Sequence, residues 1–151
     1  MANTKKNNVN IMTVFGLKGE HLIEPLLNVY IAAPWVRKDA ALTALEECEA
    51  AGLNVTSRWI KYHPDTVSDD ILCEQAQNDI DDVCDADAMI FLPLQKSEGK
   101  ATELGFAYTR GINIYLVGWP EDYQNVFYHL PAITRVDSVS AAIEQIKDDL
   151  G

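Results

Sequence analysis

The chain has 151 residues, a net charge of −11, 48% apolar and 23% charged residues, an ordinary composition for one globular domain. That charge argues against a partner held by neutralising many phosphates, so DNA and RNA are excluded as expected ligands; a mononucleotide, whose phosphate needs only a local nest of N–H groups, is not. No apolar run reaches the ~18 residues of a membrane span. Met1 to Asn10 lacks the apolar segment of a secretory signal, and Cys48, Cys73 and Cys84 form no CxxC pair. The expectation is a cytoplasmic chain without a disulfide framework, zinc or other metal site.

Residues 1–27 read as an N-terminal extension, partly disordered or loosely packed, because Asn and Lys dominate its start and Phe15 to Gly19 breaks any period. The body, 28–151, alternates between two kinds of segment. Asn28 to Ala33 is a short β-branched and aromatic run, expected as a buried strand. Asp39 to Ala51 has Leu42, Leu45 and Cys48 at helical spacing and is closed by Gly52. Leu53 to Trp59 is expected as a second strand, and Tyr62 to Ser68 as a loop. Ser68 or Asp69 then caps a helix running to about Val83, with Leu72, Ala76, Ile80 and Val83 as its apolar face.

The uniformly apolar Ala88 to Leu92 is expected as a central strand. A helix follows from Lys100 to Arg110 and ends at Gly111; Ile112 to Val117 is the fourth strand. A short helix over Asn125 to Leu130, a fifth strand over Thr134 to Val136 and a terminal helix from Ser138 to Leu150 complete the pattern. Such alternation predicts an α/β fold: a flavodoxin-like or Rossmann-like three-layer sandwich around a five-stranded parallel sheet. Ligands of such sheets sit at the carboxyl ends of the strands. The candidate loops are therefore Ala33 to Asp39, Leu92 to Lys100 and Gly118 to Asn125.

Chemistry-bearing residues cluster around those loops. Glu103 falls in the expected first turn of the helix after the central strand, where the helix dipole favours an ionised carboxylate. That suits a nucleophile, although acids are also common there for stability alone. Ser97 and Gly99 precede that helix; a hydroxyl, a free backbone and unpaired N–H groups can hold a phosphate or sugar hydroxyl, or merely cap the helix. No P-loop or GxGxxG pattern is present. Asp79 flanks the apolar face of its helix, whereas Asp81 and Asp82 are expected on a solvated one. Tyr30 lies in the first strand and Trp35 just beyond it, either stacking on a base or packing at the rim. His63 and His129 belong to no catalytic or metal pattern.

Three stretches carry a resemblance: Ala101-Thr102-Glu103-Leu104-Gly105-Phe106-Ala107; Asn78-Asp79-Ile80 followed by Ala86-Asp87-Ala88-Met89-Ile90; and Tyr30-Ile31-Ala32-Ala33-Pro34-Trp35. Together they resemble the nucleoside 2-deoxyribosyltransferase superfamily, which includes 2'-deoxynucleoside 5'-monophosphate N-hydrolases and pyrimidine-nucleotide N-ribosidases. The resemblance covers about residues 28–136. It implies Glu103 as nucleophile, Asp79 as acid, Tyr30 as the hydrogen-bond partner of the nucleophile, and Trp35 beside the base. Ser97 stands where the monophosphate hydrolases place a phosphate-binding serine and the transferases often an Asp. Arg37 lies only near the place of those hydrolases' phosphate-binding Arg, Pro34 replaces their Ser, and Ala33 stands where Gly is common.

Asn125, Val126 and Tyr128 fall where the family lends residues to a neighbouring subunit, which implies a homo-oligomer. The implied substrates are a nucleoside or nucleotide and a free nucleobase, with no cofactor and no membrane or nucleic-acid partner. Transfer to a second base, hydrolysis of a 5'-monophosphate, and a non-catalytic nucleotide-binding role all stay open.

Overall fold

The computed structural model describes residues 26–118 and 125–151. The extension assigned to residues 1–27 therefore lies almost wholly outside the described residues, as does most of the candidate loop Gly118 to Asn125. Five strands, β1 (Asn28–Ala32), β2 (Asn54–Val55), β3 (Ala88–Phe91), β4 (Asn113–Val117) and β5 (Ile133–Val136), form one sheet in the order β2-β1-β3-β4-β5, parallel throughout. The helices are α1 (Lys38–Ala50), α2 (Asp69–Cys84), α3 (Glu98–Thr109) and α4 (Val139–Leu150). The α1 helix packs beside α4 and α2 beside α3, each pair on its own face. The expected three-layer parallel architecture is thus present, in flavodoxin-like strand order.

Parallel strands covered on both faces must be apolar on both. Every residue of β3 and four of the five in β1 are buried. Chain direction across the sheet reverses between β1 and β3, which pair from Val29–Ala88 to Ala32–Phe91. The crevice beyond their carboxyl ends is where this topology opens a ligand site.

Two elements depart from the sequence reading. The second strand is only Asn54–Val55, and Arg58–Lys61 is a 3-10 turn. Other partners take over the bonding there: the Arg58 N–H donates to the Asp82 carboxylate at 3.0 Å, and the Trp59 indole N–H donates to the Ile31 carbonyl at 3.0 Å. Those bonds replace a sheet ladder and bury Trp59.

The second departure is the rotation of α2. Leu72, Ala76 and Ile80 face solvent; Ile71, Gln75, Asn78, Asp79, Asp82 and Val83 turn inward. Asp82 finds its partners on the neighbouring segment Thr56–Arg58, and those bonds favour this rotation. Asp82, expected on the solvated face, is 4% exposed and ion-paired to Arg58 at 2.8 Å.

Candidate active site

The site is assembled from β1, α2 and the segment joining β3 to α3. Tyr30 is the third residue of β1 and fully buried. Its hydroxyl donates to Glu103 Oε1 at 2.9 Å, joining β1 to α3 beneath the crevice. Burial and the nearby charges of Glu103 and Asp79 push the Tyr30 phenol well above its ordinary range, so it stays a donor.

Glu103 is the sixth residue of α3, because the helix starts at Glu98 rather than Lys100. Ser97 causes the early start: its hydroxyl accepts the Lys100 N–H at 3.3 Å and caps the helix. Glu103 therefore lies in the second turn, outside the reach assumed for the helix dipole. Its carboxyl is pushed up to about 8, first by burial and also by Asp79, with the Tyr30 hydrogen bond pulling the other way. The expectation of an acid ionised by the helix end is corrected: desolvation dominates.

Asp79, on α2, is half-buried. Its carboxyl is raised to about 6, by burial first, then by the charge of Asp82, against a lowering by Arg58. Asp79 influences both Tyr30 and Glu103 electrostatically, so the two carboxyls form one coupled pair with apparent values belonging to both. Near neutrality the pair holds about one proton.

The remaining sequence candidates are spread around this centre. Trp35 sits in a 3-10 turn (Trp35–Arg37) just past β1 and is 47% exposed. Its ring lies 6.1 Å from that of Trp59, tilted by 31°, with the Lys38 ammonium 3.7 Å from its centroid. Arg37 is tied to Asp39 by an ion pair of 3.0 Å. Gly99 is exposed in the first turn of α3, and a Cβ there would meet nothing within 4 Å.

Asn125 caps the 3-10 turn Val126–His129, its Oδ1 accepting the Phe127 N–H at 3.0 Å. Tyr128 is buried in the chain's own core, edge-on to Phe91 at 5.2 Å. These two line an apolar cavity of about 290 Å³ with Ala101, Leu104, Gly105 and Phe127. Neither Glu103 nor Asp79 lines it. It offers no carboxylate.

Sequence reading missed Asp82, Arg58, Trp59 and Lys100. The Asp82 signal was available, since it follows Asp79 by three residues and shares its face. Lys100 gave none; it is 1% exposed, and burial lowers its ammonium to about 8. Among the described residues, no group of three His, Cys, Asp or Glu is gathered closely enough to hold a metal ion.

Comparison with known proteins places this geometry in context. No protein-family model matches the chain, and no curated protein does. Solved structures share its fold. A CMP N-glycosidase, BcmB, from Clostridium botulinum superimposes with a TM-score of 0.53 at 18% identity, covering 80% of this chain and 98% of that one. A 2-deoxyribosyltransferase from Bacillus psychrosaccharolyticus gives 0.59 at 18% identity, covering 77% and 90%. DNA processing protein A from Helicobacter pylori, which binds single-stranded DNA, gives 0.58 at 10% identity, covering 82% and 81%. At these identities the fold is what is shared, and the fold alone does not dictate the chemistry.

Proposed function

We propose that the chain cleaves the N-glycosidic bond of a (deoxy)nucleoside or nucleotide and passes the deoxyribosyl group to another nucleobase. The observation that carries this reading is the part-buried Tyr30–Glu103 hydrogen bond between β1 and α3, with Asp79 coupled to it. Two acids of unequal proton affinity are the equipment of double displacement at an anomeric carbon. The likeness to a transferase and an N-glycosidase supports the same class of reaction.

In this mechanism a Glu103 oxygen attacks C1' while the bond from C1' to the base nitrogen breaks. The bonding pair leaves with the base, and Asp79 delivers its proton to the departing base. The second base loses a proton to Asp79 and attacks C1', freeing Glu103. Tyr30 holds Glu103 in line by donating to its carboxylate, and Trp35 forms a wall for the base.

The reaction requires the proton on Asp79 and the charge on Glu103, although burial favours the opposite distribution. The productive form is then a minor one, selected when substrate binds. The reading carries a free nucleobase as second substrate, no cofactor, and a homo-oligomeric state measurable by sedimentation.

The test is to incubate single deoxynucleosides, each with a different free base, and separate the products by chromatography. A new nucleoside is the expected result. Absence of both new nucleoside and released base across a panel of nucleosides and monophosphates would defeat the reading.

Ser97 favours a second reading, hydrolysis of a nucleoside 5'-monophosphate. Its hydroxyl stands at the start of α3, six residues before Glu103. Under that reading Ser97→Ala slows monophosphate turnover by about tenfold more than nucleoside turnover. Equal effects on both substrates would remove it.

A further inference from the structure

Lys100 is buried, 1% exposed. Its ammonium lies 5.1 Å from the centroid of Phe91 and 5.9 Å from that of Tyr128. Burying a cation in such surroundings is expensive unless it is matched by good hydrogen bonds. It donates to the carbonyls of Pro93 and of Gln95, the latter at 2.7 Å. Those carbonyls belong to the two neighbours of Leu94.

Leu94 has φ 42°, the one positive value outside glycine among the described residues. A leucine in the left-handed region is strained. Its side chain is exposed, so burying that side chain does not hold the turn. The ammonium grips the chain on either side of the strained residue.

We propose that Lys100 is a positioning residue: by clamping both sides of the Leu94 turn it fixes the β3–α3 loop and presents Ser97 to the substrate's sugar or phosphate. The assignment rests on the site reading given under Proposed function. It accounts for a charge buried where no step of the chemistry uses it. It also explains how a leucine is kept in a backbone shape that glycine would take without strain.

The test compares full-length wild type, Lys100→Met, Lys100→Arg and the double variant Lys100→Met/Leu94→Gly. Base release from the best substrate of the panel separates KM from kcat, and amide exchange compares residues 94–97 with β4 as an internal reference. Lys100→Met is expected to raise KM by about tenfold with kcat within roughly threefold. Its loop amides exchange about tenfold faster while β4 is unchanged. Lys100→Arg, which keeps the charge, recovers part of both effects. Leu94→Gly in the Lys100→Met background recovers most of the KM, because the strain that needed the clamp is gone.

Wild-type KM and loop exchange in Lys100→Met would overturn the proposal. So would equal acceleration in the loop and in β4, which marks general destabilisation. If Lys100→Met does not fold, Leu94→Gly alone carries the test. The clamp requires its loop to exchange no faster than wild type, and faster exchange refutes it. If wild type releases base from no substrate, the reading of the site fails, and the exchange data still decide the clamp.

Discussion

Asp82 and Glu103 are acids on neighbouring helices over the same face of the sheet, and the fold treats them in opposite ways. The Asp82 carboxylate receives the Arg58 backbone N–H and two guanidinium nitrogens, and its backbone carbonyl receives the Thr56 hydroxyl. Glu103 receives one phenol. The bonds to its carboxylate fasten α2 to the 3-10 turn that buries Trp59. The sparse bonding of Glu103 leaves an oxygen for other work. An acid surrounded by matched donors is an anchor; an acid desolvated with one donor is under tension, and its proton affinity records that tension.

The sharpest way to break the comparison is Glu103→Gln. Base release is expected to fall by on the order of a thousandfold or more, with the fold retained by circular dichroism. Near-normal turnover would make Glu103 another anchor.

Asp82→Ala should do the reverse, removing one partner of a pair whose acid is buried. Stability is expected to drop by about 2–3 kcal/mol, read as a fall in the melting midpoint of roughly 10 °C. Turnover per folded molecule should change less than tenfold. An unmoved midpoint would return Asp82 to the solvated surface.

The tension on Glu103 is itself measurable. Because its folded value, about 8, lies above its ordinary value of 4.5, the folded state binds the proton more tightly than the unfolded. Stability from this group is complete below the ordinary value and is lost as pH rises through about 8. Glu103→Gln, permanently neutral, should therefore melt higher than wild type above pH 8, by on the order of 2 kcal/mol, with the gain vanishing near pH 4. Melting curves that coincide at every pH would remove the desolvation argument.

The mildest expectation concerns rate. The coupled pair predicts a bell-shaped dependence of kcat/KM, bounded near the values of about 6 and about 8 carried by Asp79 and Glu103. Asp79→Asn should abolish the alkaline limb, leaving a single rise. The rise should lie below 8, since Asp79 no longer repels charge on Glu103.

The central strands were legible because they are short, almost wholly apolar runs followed by helical patterns. Asn28 to Ala33 and Ala88 to Leu92 are found as β1 and β3 within one residue at each end. Local pattern failed where distant partners decided. Trp59 is β-favouring by type, yet its indole bond to Ile31 and the Asp82 bond to Arg58 bend the chain out of the ladder. The α2 helix was read by its aliphatic stripe, while its orientation is set by polar contacts with elements far along the chain. Lys100 was invisible because periodicity carries no information about which lysine will be swallowed by its own loop. The Tyr30–Glu103 contact spans 73 residues, and the motif resemblance, rather than any spacing, pointed to it.

The last helix bears on how the protein is handled. Tyr115 of β4 donates its hydroxyl to Asp149 at 2.8 Å, and Gln145 grips the other oxygen of that carboxylate. A helix returning across a parallel sheet finishes at the edge where the strands begin. Gly151 thus emerges on the rim opposite the crevice. A support or fluorophore grafted there would leave the crevice between β1 and β3 uncovered.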